Sequence, residues 1–148
     1  MHHLTPAQTA FAEAQRVGRL ATADRAGQPH AVPVCYAYAT GSFYIGLDAK
    51  PKRVAHERLK RVRNILDNPQ AALVIDHYDE DWTALAYLLV RGAAILLPPG
   101  DPEHARAVEL LRARYPQYRT MPIDEQPMIT IRVESVVAWG AIEPKTKT

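Results

Sequence analysis

The chain has 148 residues, enough for one domain with a buried core and short for two. With 47% hydrophobic and 23% charged residues, wholesale disorder is excluded; with one cysteine, Cys35, so are an internal disulfide and a cysteine zinc site. The net charge of +2 conceals seven cations and one acid between Lys50 and Arg63, a window of net +6 beside a remainder of net −4. One basic element on an otherwise acidic chain argues for a localised anion site and against a nucleic-acid coat. No apolar run suits a membrane span, and the first residues carry no signal-peptide pattern, so a cytoplasmic setting is expected.

Thr5-Pro6-Ala7-Gln8 reads as a helix start, with Thr5 as N-cap, Pro6 at the first position and Gln8 closing a capping box. Ala7, Phe11, Ala14 and Val17 recur at helical spacing, and Gly18 is expected to end the helix. Strands are then expected over 19–23, 30–39 and 42–47, separated by Asp24-Arg25-Ala26-Gly27 and Thr40-Gly41 turns, as an antiparallel meander. Within 30–39, Pro33 implies an edge or a bulge. The strand also alternates large residues (His30, Val32, Val34, Tyr36, Tyr38) with small ones (Ala31, Pro33, Cys35, Ala37), and small side chains let a helix or a flat ring approach closely.

A second helix starts at Pro51, buries Ala55, Leu59, Val62 and Leu66, and stops at Asn68-Pro69. Strands over 71–75 and 85–97 flank an acidic loop, 76–82, that ends on Trp82. After Pro98-Pro99-Gly100, Asp101 caps a third helix whose face runs through His104, Val108, Leu111 and Tyr115. A polar, proline-bearing loop over 115–126 leads to a last strand, 128–139. About six mostly antiparallel strands with three helices define an α+β barrel, mainly β, in a single domain over 1–148.

No glycine-rich phosphate loop and no hydrolase or metalloprotease motif is present, so any chemistry arrives with a cofactor. The basic segment is the strongest signal. Lys52 and Arg53 stand at a helix start, where free N–H groups favour anions, and arginine forks bind phosphate in bidentate fashion. The alternative is a solvated basic face. The acidic loop fits no calcium-loop spacing, reads as solvated and gives no metal site. Trp82 is an aromatic suited to an interface or to covering a ligand. Tyr36, Tyr38 and His30 are candidate proton donors, with structural roles weighed above that; no catalytic acid or base is assigned.

Taken in order, Gly18-Arg19-Leu20-Ala21-Thr22, Pro29-His30-Ala31-Val32-Pro33-Val34, Lys50-Pro51-Lys52-Arg53 and Leu59-Lys60-Arg61-Val62-Arg63-Asn64-Ile65 carry a resemblance, completed by Asp76-His77-Tyr78-Asp79-Glu80-Asp81-Trp82 and Val90-Arg91-Gly92-Ala93-Ala94. The chain resembles the pyridoxamine-5′-phosphate-oxidase-like split β-barrel superfamily, and within it the F420-dependent enzymes, over residues 10–140. The resemblance implies a six-stranded split barrel of the FMN-binding type and a homodimer with cofactor sites at its interface. It also implies hydride transfer between a bound flavin or deazaflavin and a small organic molecule. On that resemblance Lys52, Arg53, Arg61, Arg63 and Asn64 grip the cofactor phosphate. Val32, Pro33, Val34, Ile45, Gly46 and Leu47 lie along the ring, and Trp82 reaches a site from the partner. The C-terminal segment that binds vitamin B6 has no clear counterpart. Coenzyme F420, with its string of carboxylates, suits a +6 window better than the single phosphate of FMN, which is the alternative cofactor. A non-catalytic flavin or haem binder on the same barrel is the rival reading, and nucleic-acid binding ranks below it.

Overall fold

The computed structural model describes residues 2–47 and 52–143, with the stretch 52–59 described as backbone alone. Its order is α1 (Pro6–Ala14), β1 (Gly18–Ala23), β2 (Pro29–Val34), β3 (Ala37–Ala39), β4 (Ser42–Ile45), α2 (Lys52–Asp67), β5 (Gln70–His77), β6 (Ala86–Leu97), α3 (Pro102–Arg114) and β7 (Met128–Gly140). A 3₁₀ turn, Trp82–Ala84, precedes β6, and two more, Pro116–Thr120 and Ile123–Glu125, join α3 to β7.

The strands form one antiparallel sheet in the order β2-β1-β5-β6-β7-β4-β3. Its two edges, β2 and β3, are consecutive in the chain and separated by Cys35 and Tyr36 alone. Two residues span roughly 11 Å at most, so the sheet must curl until its edges nearly meet. That curl is a split barrel, with seven strands in place of the six expected.

The extra strand comes from the break in the expected 30–39 run. Tyr36 cannot join a ladder because its N–H donates to the Tyr115 hydroxyl (3.1 Å) and its carbonyl accepts from Arg114 Nε (2.9 Å). Pro33 accordingly lies on an edge strand. β3 turns into β4 through Thr40 and Gly41, both at positive φ (51° and 80°), a two-residue hairpin.

The capping box at Thr5 and Gln8 is present, but α1 ends at Ala14 and Gly18 opens β1. A Cβ at Gly18 would come within 2.9 Å of Leu73, so the glycine serves the close approach of β1 to the core. Inside the barrel lie Leu20, Tyr36, Phe43, Leu73, Leu88 and Ile131; a second core under α3 includes Tyr44, Ala107, Leu111, Ile123 and Met128. β4 is buried on both faces because it separates these two cores, which is why its sequence does not alternate.

α2 crosses the barrel beside β1. Its buried Asn64 donates from Nδ2 to the Thr22 hydroxyl (3.1 Å), and Ile65 enters the barrel core. The α3 N-terminus is tied down by charge. Asp101 caps it, and Glu103 takes both terminal guanidinium nitrogens of Arg132 and the Tyr44 hydroxyl (2.6 Å). These bonds hold the Glu103 carboxyl at about 2, while burial, with that carboxylate beside it, pushes Tyr44 up to about 12.

Candidate cofactor-binding site

A cavity of about 530 Å³ opens at the barrel seam, within the size range of small-molecule sites. One wall is sheet: Pro33, Val34 and Cys35 from the end of β2, Ile45 and Gly46 from the end of β4, with Val17 beside them and Arg61 reaching in from α2. The facing wall is the strap after α3, contributing Tyr115, Pro116, Gln117, Tyr118 and Met121.

Side chains close the seam where strand pairing does not. The Tyr115 hydroxyl accepts the Tyr36 N–H and donates to the Arg16 carbonyl (2.9 Å). Arg114 reaches from the α3 C-terminus to the Glu13 carbonyl (2.7 Å), the Gln15 carbonyl and the Tyr36 carbonyl. Those acceptors include orphaned carbonyls at the end of α1, where a cation is also favoured by the helix dipole. The Arg16 guanidinium lies 4.6 Å from the Tyr115 ring centre, and Arg114 5.0 Å from that of Tyr36. Burial raises the Tyr36 hydroxyl well above the ordinary tyrosine range, and it donates to the Ala12 carbonyl.

The strap is fastened from behind by Arg112. Its Nε donates to the Tyr118 carbonyl (3.0 Å), and its Nη2 to the Met121 carbonyl (2.9 Å) and the Asp124 carboxylate (2.9 Å). Ile123 is fully buried beneath the strap, 3.7 Å from where a Gly46 Cβ would sit.

Of the residues named from the sequence, Pro33, Val34, Ile45, Gly46 and Arg61 meet in this cavity. Val32 packs half-buried against the barrel, Leu47 is in its core, Asn64 is buried under α2 on Thr22, and Arg63 is exposed. Lys52 and Arg53 open α2, but their side chains lie outside the described residues, as do Lys50 and Pro51. Trp82 is 71% exposed and does not line the cavity. Tyr38 accepts the Leu4 and Gly41 N–H groups, and His30 lies half-buried on β2 opposite Thr22; neither lines the cavity.

The strap went unread as a site because its residues look like an ordinary loop. Its one signal is a pair of tyrosines, Tyr115 and Tyr118, in a segment otherwise polar; both are buried, with ring centres 5.7 Å apart. Among the described residues, no group of histidine, cysteine, aspartate or glutamate could hold a metal ion. The acidic loop instead folds on itself: Asp79 accepts the Asp81 N–H, and Asp81 caps the turn at Trp82. No helix among the described residues is long and apolar enough to cross a membrane.

Among the described residues, the cavity is lined by apolar faces from the sheet and by the Arg61 side chain. This split barrel is the fold of an oxidase family. The pattern of the pyridoxamine 5′-phosphate oxidase family matches residues 4–140, and the chain belongs to that family. The chain is 28% identical over 137 residues to the 5a,11a-dehydrotetracycline/5a,11a-dehydrooxytetracycline reductase of Streptomyces rimosus, covering 92% of this chain and 82% of that one. Among solved structures it is similar to HutZ, the haem storage protein of Vibrio cholerae (TM-score 0.71, 14% identity, 96% of this chain and 100% of that one). It is also similar to an FAD-binding protein of Mesorhizobium loti (TM-score 0.66, 23% identity, 91% and 94%).

Proposed function

We propose that the chain is a cytoplasmic oxidoreductase that holds coenzyme F420, with FMN as the alternative, and exchanges a hydride with a small organic molecule. One observation carries this reading: Pro33, Val34, Ile45, Gly46 and Arg61, drawn from three separate stretches of sequence, line one cavity. The residues fit such a group. Pro33, Val34 and Ile45 offer a flat ring an apolar surface, and Arg61 offers an anionic tail a bidentate fork. When bound, the cofactor supplies the hydride; the chain binds it, orients it and excludes water. The reductase named above supports turnover of an organic substrate.

The homodimer belongs to the same proposal. Tyr87 and Trp139 stack on the outer face of β6 and β7 (ring centres 5.7 Å apart), with Val137 and Trp139 each about half exposed. An apolar sheet face of this kind suits a second copy of the chain. Haem binding without turnover is the second reading, favoured by the likeness to the haem storage protein. The likeness to the reductase, which acts on an organic molecule, makes it the weaker of the two.

The test is titration of the purified protein with F420, FMN and haem, followed by fluorescence or absorbance at low and moderate salt. Micromolar or tighter F420 binding with weaker FMN is expected. The reverse preference makes it an FMN protein, and haem binding alone overturns the oxidoreductase reading.

A further inference from the structure

We propose that the groove between α1 and α3 is a second ligand site, built for a free α-amino acid with an apolar side chain. The site lies apart from the seam cavity and does not rest on the cofactor reading. Among the described residues, the two hollows share no lining residue. The groove encloses about 390 Å³, at the small end of the range for small-molecule sites. Its floor is the edge strand β3, and its walls are the end of α1 and the face of α3 that carries Leu110 and Ala113.

Because β3 is an edge of the sheet, one side of it has no strand to pair with. Ala39 and Ser42 flank the two-residue turn and form its hydrogen-bonded pair. Alternation therefore points the N–H and C=O of Tyr38 away from β4 and toward the groove that Tyr38 lines. Two residues earlier the backbone of Tyr36 points the same way, and Tyr115 and Arg114 take both of its groups. Among the described residues, no protein group takes those of Tyr38. Arg114 closes the edge at Tyr36 and the turn closes it at Thr40, so the opening has the length of one residue. One donor and one acceptor stand open there, a match for the carboxylate and the ammonium of a single amino acid.

The rim repeats that pattern in charged side chains. Glu13, in the last turn of α1, and Arg16, just beyond it, both line the groove and are exposed. Among the described residues they form no ion pair with each other, and the Glu13 carboxylate has no partner. Arg16 is held in place by an Nη2 bond to the Arg114 carbonyl (2.6 Å) and by the Tyr115 ring, which leaves its Nε and Nη1 open among those residues. Two uncommitted charges of opposite sign on one rim favour a zwitterion over an anion or a cation alone. Ala12, Ala37 and Leu110 supply the apolar lining that takes the ligand's side chain.

The experiment titrates the full chain, with no cofactor added, with L-leucine, followed by calorimetry and by hydrogen exchange at the Tyr38 amide. Saturable binding with a Kd below about 1 mM and slowed exchange at Tyr38 are expected. N-acetyl-leucine lacks the ammonium, leucine amide the carboxylate, and glycine the side chain; each should bind at least about tenfold more weakly. Arg16→Ala and Glu13→Gln should each weaken leucine about tenfold, and Glu13→Gln should leave the residual binding of N-acetyl-leucine unchanged. Should Arg16→Ala fail to fold, Arg16→Lys and Glu13→Gln carry the same comparison. No saturation by about 10 mM leucine would overturn the proposal, as would N-acetyl-leucine or leucine amide binding as tightly as leucine. Binding that leaves exchange at Tyr38 unchanged would place leucine elsewhere on the chain and overturn it too, and so would an affinity that none of these variants moves.

Discussion

Replacing Glu103 with glutamine removes the charge that anchors α3 to β7, and its effect can be worked out from the structure. Arg132 donates two hydrogen bonds to this carboxylate and Tyr44 a third, which lowers it from 4.5 to about 2. A lowering of that size is worth at most about 3 kcal/mol. The Glu103 and Arg132 side chains are 26% and 31% exposed, so about 2 kcal/mol is the working value after screening. A carboxyl lowered in the folded state contributes stability above its unfolded value, and that contribution is lost as pH falls through the folded one. The wild type should therefore exceed Glu103→Gln by about 2 kcal/mol at neutral pH. The gap should close as pH falls from 4.5 toward 2. Urea unfolding of both proteins at a series of pH values, followed by tryptophan fluorescence, measures the difference directly. A gap below about 0.5 kcal/mol at neutral pH, or one that persists unchanged at the acid end, would refute the assignment.

Arg61→Glu should weaken F420 binding at least about tenfold and flatten its salt dependence, since a guanidinium fork on an anion is exchanged for a repulsive charge; titration at two ionic strengths reads both. Tyr115→Phe leaves the Tyr36 N–H and the Arg16 carbonyl without their partner, a loss of about 1–3 kcal/mol in urea unfolding. The same variant should loosen the cavity, seen as weaker cofactor binding. Gly92→Ala would drive a Cβ to 2.0 Å from the Arg132 carbonyl oxygen at the β6–β7 bulge. Its expected cost is about 3 kcal/mol, read as a lowered Tm.

The helix caps and the turns at Asp24-Arg25-Ala26-Gly27 and Thr40-Gly41 were legible because they are local: each depends on residues within one turn of each other. The sheet face of the cavity was legible for a different reason, the resemblance of its segments to a known barrel. What escaped was decided over long range. Tyr36 leaves the expected strand because Tyr115 and Arg114 take its backbone groups, and nothing near Tyr36 announces it. Gly18 looks like a helix stop and serves a strand, because Leu73 approaches it. The strap that faces the cavity reads as a plain polar loop, because its packing against the sheet is set by Arg112 and by the barrel beneath it.

The contact that closes the barrel seam joins residues 79 apart in the chain. Neither wall of the cavity means anything to a ligand until that long loop has closed, and closure carries an entropic cost that local structure cannot offset. Binding competence is therefore a property of the completed fold and not of any fragment. A cleavage between Tyr36 and Tyr115 would separate the two walls in sequence and leave only noncovalent contacts to hold them together. A ligand in the cavity would bridge the first third of the chain and the last, and so stabilise the molecule as a whole.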